Sequence, residues 1–201
     1  PLNDARRYGL AIAHQQTGQG REALQELTPL AAAHPGNLWL QVAVAEAEAR
    51  VGELAQADRR FESLLAQMPT HRALVLSYAR VLGERNTRDA GTRAVAVLRP
   101  LLGSAGNDPL FQQAYARANE IAGDDVRAGE AWAEAAYLGG RPEQALVQLN
   151  NLKKRATLDY YARSRIEARI AAITPTVLEL RRQGIKDEEA TGRLGVGVRA
   201  G

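Results

Sequence analysis

Residues 18–35 read GQGREALQELTPLAAAHP, and residues 52–69 read GELAQADRRFESLLAQMP. Aligned without gaps, the two stretches match glycine, alanine and proline at a constant separation of 34 residues. The larger apolar positions keep the same separation, pairing Leu27 with Phe61 and Leu30 with Leu64. A fixed period of this length indicates a repeat protein, in which each unit buries its apolar face against its neighbours.

Further copies follow with less regular spacing. A third begins near Arg72, with stretched connections at 85–91 and 103–108, and a fourth begins near Pro109. A half-unit starts at Gly140 and carries Ala145 and Leu149 in the matching positions. The chain therefore contains about four and a half units.

The residue types at the matched positions predict two antiparallel helices per unit. Glycine permits the left-handed turn that ends the first helix, and proline stops the second. Small residues let the two helices approach closely at Ala11, Ala45, Ala79 and Ala116, and again at Ala23, Ala57, Ala94, Ala128 and Ala145. Large residues are expected to fill the core between the helices at Leu27, Phe61, Leu98, Trp132 and Leu149.

This pattern resembles the tetratricopeptide repeat (TPR). The resemblance implies an all-α fold, a right-handed superhelix of antiparallel helix pairs over residues 4–155. Residues 156–183 are expected to form a long capping helix, which Thr174-Pro175 should kink or interrupt. Residues 184–201 are glycine-rich, and we expect a flexible tail there.

Composition excludes several kinds of function. The 201 residues include no cysteine, which rules out disulfides, thiolate metal sites and cysteine nucleophiles. No stretch approaches the roughly 18 apolar residues of a membrane span. The three histidines form no HExxH motif, no glycine-rich phosphate loop is present, and no acid–base pair stands out. We therefore expect no catalysis, metal or cofactor in this chain.

In a TPR domain the first helix of each unit lines a concave groove, and its lining positions can be counted from the repeat. The residues selected for a partner-binding groove are Tyr8, Ile12, Trp39, Val42, Glu46, Arg50, Arg80, Gln113 and Arg117. Apolar side chains beside arginines suit an extended or helical peptide. The clamp that other TPR proteins use for chaperone carboxyl termini is disfavoured, since its matching positions (Tyr8, Ile12, Ala43, Ala73 and Ser77) hold no Lys, Asn or Arg.

A basic cluster near the C-terminus suggests an alternative, an arginine-rich helical repeat protein that binds nucleic acid. Its members are Lys153, Lys154, Arg155, Arg163, Arg165 and Arg169. Asp159 and Glu167 interrupt the cluster and can pair with arginines one helical turn away. A formal net charge of +3 predicts weak, salt-sensitive binding, so a solvated helix face is favoured.

The string LDYYARSRIEARI at 158–170, together with LNNL at 149–152, resembles the end of beta-barrel assembly-enhancing (BepA-like) zinc metalloproteases of the bacterial periplasm. The resemblance implies that this chain is the non-catalytic TPR half of such a protein, with zinc only in a protease domain outside it. It also implies periplasmic location and protein partners: its own protease domain, the outer-membrane barrel-assembly machinery and unfolded outer-membrane proteins. A generic TPR adaptor unrelated to proteolysis is the remaining alternative.

Overall fold

The computed structural model describes residues 2–155 and 157–187, and these residues are helical with no β-strand. Most helices have the lengths expected of repeat hairpins. They are α1 (Leu2–Gln16), α2 (Gly20–Ala33), α3 (Leu38–Arg50), α4 (Leu54–Gln67), α5 (Arg72–Glu84), α6 (Arg88–Leu98), α7 (Leu102–Ala105), α8 (Pro109–Ala122), α9 (Asp125–Leu138), α10 (Pro142–Lys153) and α11 (Tyr160–Arg182). A 3-10 turn over Arg99–Leu101 precedes α7.

Helices adjacent in the chain pack against each other within the described residues, as α1 does on α2, α2 on α3, α3 on α4, α8 on α9, α9 on α10 and α10 on α11; this confirms the predicted all-α class. In the first hairpin Asp4 hydrogen-bonds His34 at 3.2 Å, and Arg7 lies 3.7 Å from Glu26. Residue numbers that rise on α1 and fall on α2 mean that the helices run in opposite directions. The chain divides into two compact units between Val81 and Leu82, within α5. We call them the N-terminal and C-terminal units.

The turn glycines adopt the backbone conformation that the repeat predicts. Gly18, Gly52, Gly123 and Gly140 have φ angles of 78°, 90°, 84° and 78°. The third turn has no glycine at this position, and Asn86 takes its place with a φ of 50°. Asparagine tolerates this left-handed region better than most residues do, so the third hairpin closes without glycine.

Alanines occupy the helix crossings as expected. Ala23, Ala57, Ala94 and Ala145 are completely buried, as are the partner residues Leu27, Phe61 and Leu98 beside them. Trp132 is less completely buried than the other large residues at this repeat position. Its indole Nε1 donates to Glu120 at 2.7 Å. Trp132 therefore keeps its polar edge at the surface, where the N–H has an acceptor.

The terminal helix α11 covers the last hairpin. Its apolar side chains Ile166, Ile173 and Val177 are buried with residues of α9 and α10. The predicted interruption at Thr174-Pro175 does not occur, since α11 continues through Pro175 to Arg182. Pro175 and the residue four positions before it, Ala171, are both exposed. Proline removes the amide that would donate to the carbonyl of Ala171, and an unpaired carbonyl costs less at an exposed position than in the core.

The first four residues of the predicted tail, 184–187, make hydrogen bonds to the helices before them. Gly184 turns the chain with a φ of 70°, and the Ile185 amide donates to the carbonyl of Leu180. Asp187 then accepts hydrogen bonds from the amides of Glu143 and Gln144, at 3.0 and 2.7 Å, and thereby caps the start of α10. The rest of the predicted tail, residues 188–201, lies outside the described residues.

Candidate functional site

The N-terminal unit presents most of the predicted groove residues on one face of α1 and of α3. Tyr8 and Ile12 are four residues apart on α1, and Trp39, Glu46 and Arg50 follow the same face of α3. The exposed fractions of Trp39 and Tyr8 are 59% and 40%. Large aromatic side chains with this exposure are suited to burial against a partner.

Val42 does not belong to this exposed surface. It was selected by its position in the repeat, yet only 8% of it is exposed. The cause lies in the composition of α3, whose residues 40 and 42–45 are all buried apolar side chains. A helix packed between α2 and α4 has more than one apolar face, so position in the repeat alone does not identify its exposed side.

Tyr8 and Trp39 line a common cleft of about 480 Å³ in the N-terminal unit. We call it the aromatic cleft, and its lining residues are Asp4, Ala5, Tyr8, Leu30, His34, Asn37, Trp39 and Leu40. The hydrogen bond from His34 to Asp4 joins the end of α2 to the start of α1 beside it. The cleft is therefore formed where three helix ends meet.

Local capping places Trp39 at the cleft. The Asn37 side chain accepts from the amides of Trp39 and Leu40, at 3.1 and 3.3 Å, and so starts α3 at Leu38. The indole of Trp39 also meets the ring of His71 edge-on, with ring centres 6.2 Å apart. These contacts fix one side of the indole and leave more than half of the residue exposed.

Glu46 and Arg80 lie together but pair with each other. Arg80 donates to Glu46 at 2.6 Å, and the hydroxyl of Ser77 donates to the same carboxylate oxygen. These bonds join α3 to α5 within the N-terminal unit. Both residues were selected for partner binding, but each charge is already compensated by the other. The pair therefore serves mainly to hold α3 against α5.

Arg50 lies at the far end of α3 from Trp39 and lines a different cleft. This second cleft has a volume of about 470 Å³ and is lined by Gln15, Gly18, Gly20, Arg21, Glu22, Arg50 and Val51. Repeat counting selected Arg50 as a lining position but gave no signal for Arg21. Arg21 belongs to the second helix of its hairpin, which the counting of first-helix positions leaves out.

In the C-terminal unit, Gln113 and Arg117 are exposed on α8, four residues apart. Arg117 lies 3.4 Å from Glu120 on its own helix and donates to the side chain of Asn86 at 3.3 Å. Leu110 on the same helix has an exposed fraction of 60%. These residues form a mixed polar and apolar surface.

The basic cluster is largely neutralised by carboxylates of neighbouring helices. Arg165 makes two hydrogen bonds to Glu130, at 2.9 and 3.0 Å, and Arg169 makes two to Glu134, at 2.7 and 2.8 Å. The hydrogen bonds to Glu130 raise the pKa of Arg165 above its ordinary value. Such pairing opposes the nucleic-acid interpretation, because a neutralised guanidinium releases no counterion from a phosphate backbone.

The interrupting carboxylates do not pair along α11 as expected. Asp159 caps α11 by accepting from the amide of Ala162 at 2.7 Å, and Glu167 lies 3.0 Å from Lys153 of α10. Arg163 instead donates to the carbonyl of Lys153 at 3.3 Å. Contacts between helices have replaced the predicted contacts within one helix.

Residues 2–155 and 157–187 contain no cluster of three or more His, Cys, Asp or Glu side chains able to hold a metal ion. The three histidines serve local contacts instead. His14 hydrogen-bonds Gln19 at 2.7 Å, His34 bonds Asp4, and His71 contacts Trp39. Of the helices in the described part of the chain, none is both long and apolar enough to cross a membrane.

Comparison with known proteins yields one informative similarity. No protein-family model matches the chain. The chain is 26% identical over 166 residues to the beta-barrel assembly-enhancing protease of Yersinia pestis. The match covers 83% of this chain and 34% of that protein, so the chain spans about a third of the length of this curated relative. The expected relationship to this kind of protease is thereby supported, while the TPR assignment has no matching family model.

Proposed function

We propose that this chain is a protein-interaction module that holds a segment of a partner polypeptide against the exposed face of α1 and α3. The observation that carries the proposal is the aromatic cleft, in which Tyr8 and Trp39 are both substantially exposed. Aromatic anchors buried in a cleft dominate the energy of many interfaces. The pairing of Glu46 with Arg80 beside them supplies a rigid support for α3 and α5.

The module belongs, in this proposal, to a larger periplasmic protease of the barrel assembly-enhancing kind. The support is the similarity over 83% of the chain to a protease named for barrel assembly. Its partners would be the protease domain of the same protein, the barrel-assembly machinery and unfolded outer-membrane proteins. The zinc of the resembled family would be bound outside this chain, which contributes no proposed ligand.

The binding role is favoured over a catalytic one by the chemistry of the exposed residues. The candidate surface offers an indole, a phenol, an isoleucine and paired charges, which bind but do not supply a nucleophile with its base. The alternative nucleic-acid role has no observation in its favour, because the arginines of the basic cluster are largely paired.

A titration tests this proposal. A dye-labelled outer-membrane β-barrel protein, kept unfolded by dilution from urea, is titrated with the chain while fluorescence anisotropy is recorded. We expect the double variant Tyr8→Ala/Trp39→Ala to bind about tenfold or more weakly, because two anchors are removed.

The matched control is Tyr160→Ala/Tyr161→Ala, which removes two other exposed aromatics, 78% and 75% exposed, at the start of α11. This control is expected to bind like the unmodified chain. Equal losses in both double variants would mean that exposed aromatics act non-specifically, and the proposal would then be wrong.

A further inference from the structure

We propose that the second cleft of the N-terminal unit binds a carboxylate of the same partner segment whose apolar side chain occupies the aromatic cleft. We call it the basic cleft; its lining residues are Gln15, Gly18, Gly20, Arg21, Glu22, Arg50 and Val51. This inference rests on the proposed function and adds a specificity to it: the preferred segment carries one large apolar residue and one acidic residue at a defined separation.

Two arginines give the basic cleft its charge. Arg21 is the second residue of α2 and Arg50 is the last residue of α3, and among the described residues neither has an ion-pair partner. Glu22 also lines the cleft, so the lining carries two positive charges and one negative charge. The neighbouring arginines differ: Arg60 is bound by Glu48 and Arg80 by Glu46. An unpaired guanidinium presents a planar fork of donors that matches a carboxylate.

The start of α2 adds backbone donors to the same cleft. Gln19 precedes the helix but makes no capping bond with its side chain, because its Oε1 accepts from Thr17 and contacts His14 at 2.7 Å. The amides of Gly20, Arg21 and Glu22 therefore start α2 without a side-chain acceptor. A helix N-terminus also carries partial positive charge, which favours an anion there.

A third observation is independent of charge. The side-chain Nε2 of Gln15, at the end of α1, is buried and has no hydrogen-bond partner. Gln15 lines the basic cleft, so a rotation of its amide group toward an acceptor bound there would satisfy this donor. A buried donor without an acceptor is unfavourable, and a carboxylate oxygen is the acceptor that also compensates the two arginines.

The aromatic cleft and the basic cleft lie at opposite ends of the same faces of α1 and α3, so the helices set the distance between the two clefts. Seven residues of α1 separate Tyr8 from Gln15, and eleven residues of α3 separate Trp39 from Arg50. At about 1.5 Å per helical residue, these separations are roughly 10 and 16 Å. An extended segment advances about 3.3 Å per residue, so its apolar and acidic residues should stand about three to five positions apart.

A set of short peptides tests the inference. Each capped peptide carries one Phe and one Glu, separated by one to eight positions in a Gly/Ser background, and a matched peptide carries Gln in place of Glu. Binding is followed by amide chemical shifts of the isotope-labelled chain, which report affinities as weak as about millimolar. We expect the tightest binding at separations of three to five, with shifts at Gly20, Arg21 and Glu22.

Variants separate the two clefts. The double variant Arg21→Gln/Arg50→Gln should bind the Glu peptide about tenfold more weakly than the unmodified chain does, and no more tightly than it binds the Gln peptide. The control Arg59→Gln changes an exposed arginine elsewhere in the unit and should leave both affinities unchanged. The variant Arg50→Glu should reverse the charge preference: it should bind a peptide with Lys at the acidic position more tightly than the Glu peptide. Melting temperatures of the variants establish that the fold is retained.

The outcomes are distinguishable from those of the proposed function. If Trp39→Ala weakens the binding of every peptide while the Glu and Gln peptides bind equally well, the assignment of the basic cleft is wrong and the proposed role of the aromatic cleft is retained. If no peptide binds, or if the best separation lies outside three to five positions, the inference is wrong. Inorganic phosphate that shifts the same amides as strongly as the Glu peptide would identify a general anion site and overturn the peptide assignment.

Discussion

Glycine and alanine determine how closely the helices of this protein approach. Gly91 is the sharpest case, because a Cβ built there would lie 2.5 Å from the backbone nitrogen of Ala122 and 2.7 Å from the carbonyl carbon of Ile121. Those atoms belong to the backbone of α8 and cannot move aside as a flexible side chain can. The close contact of α6 with α8 therefore requires glycine at this position.

We predict that Gly91→Ala destabilises the protein by about 1–3 kcal/mol, since the added methyl group must push α6 away from α8. Urea denaturation measures the change. The matched control is Gly103→Ala in α7, where a Cβ would meet nothing within 4 Å. Alanine there should be neutral or should stabilise by up to about 1 kcal/mol. Equal stability of the two variants would show that the α6–α8 contact is not close.

Individual residues also show where sequence reasoning was limited. The turn glycines and crossing alanines were predictable, because a backbone angle or a close approach admits few residue types. Asn86 was missed although it lies 34 residues after Gly52, because the connection at 85–91 was interpreted as stretched and asparagine signals a left-handed turn less clearly than glycine does. Val42 was misjudged, and the exposed part of Trp132 was not foreseen, because a repeat position specifies which helix a residue lies on but not how much neighbouring side chains cover it.

At the level of secondary-structure elements, paired arginines and glutamates fix the position of α11. The bonds from Arg165 to Glu130 and from Arg169 to Glu134 share an offset of 35 residues, so α9 and α11 run in the same direction. Arg169 also lies 4.5 Å above the ring of Tyr137. This arrangement joins helices that have no direct connection in the chain, which is why the sequence alone did not predict it.

We predict a favourable coupling free energy of about 0.5–1 kcal/mol between Arg169 and Glu134 in a double-mutant cycle with alanine. The two side chains are 34% and 20% exposed and make two hydrogen bonds to each other. We therefore expect a coupling free energy at the upper end of the range for partly exposed ion pairs. The control pair is Arg182 and Glu179, at 3.1 Å but 76% and 53% exposed. A coupling no larger than that of the control pair would contradict the assigned role.

A second prediction at this level concerns the cap of α10. Asp187 accepts from the amides of Glu143 and Gln144, and the preceding residue Arg141 offers no side-chain cap. Asp187→Ala should therefore cost about 1 kcal/mol of stability, by the loss of both hydrogen bonds. Lys186→Ala is the neighbouring control and should change stability little. Hydrogen exchange of the first turn of α10 measures the local effect and should accelerate in the Asp187 variant alone.

For the whole molecule, the sequence period predicted helical hairpins with much of their core, and the structure agrees within each unit. The candidate site was predictable only in part. Tyr8, Trp39 and Arg50 were found by position, whereas the clefts they line depend on residues of α2 such as His34 and Arg21. A cleft is formed by several helices together, so the residue pattern of one helix does not predict it.

The central claim is that the exposed face of α1 and α3 binds polypeptide, and photo-crosslinking tests it most directly. A photoreactive phenylalanine analogue is placed at Ile12, at Arg59 or at Tyr160, and each protein is irradiated with an unfolded outer-membrane β-barrel protein. Ile12 lies on the proposed face, whereas Arg59 and Tyr160 are exposed elsewhere. We expect adducts from position 12, which Trp39→Ala should suppress, and few adducts from the other two positions. Equal yields at all three positions, or none at position 12, would contradict it.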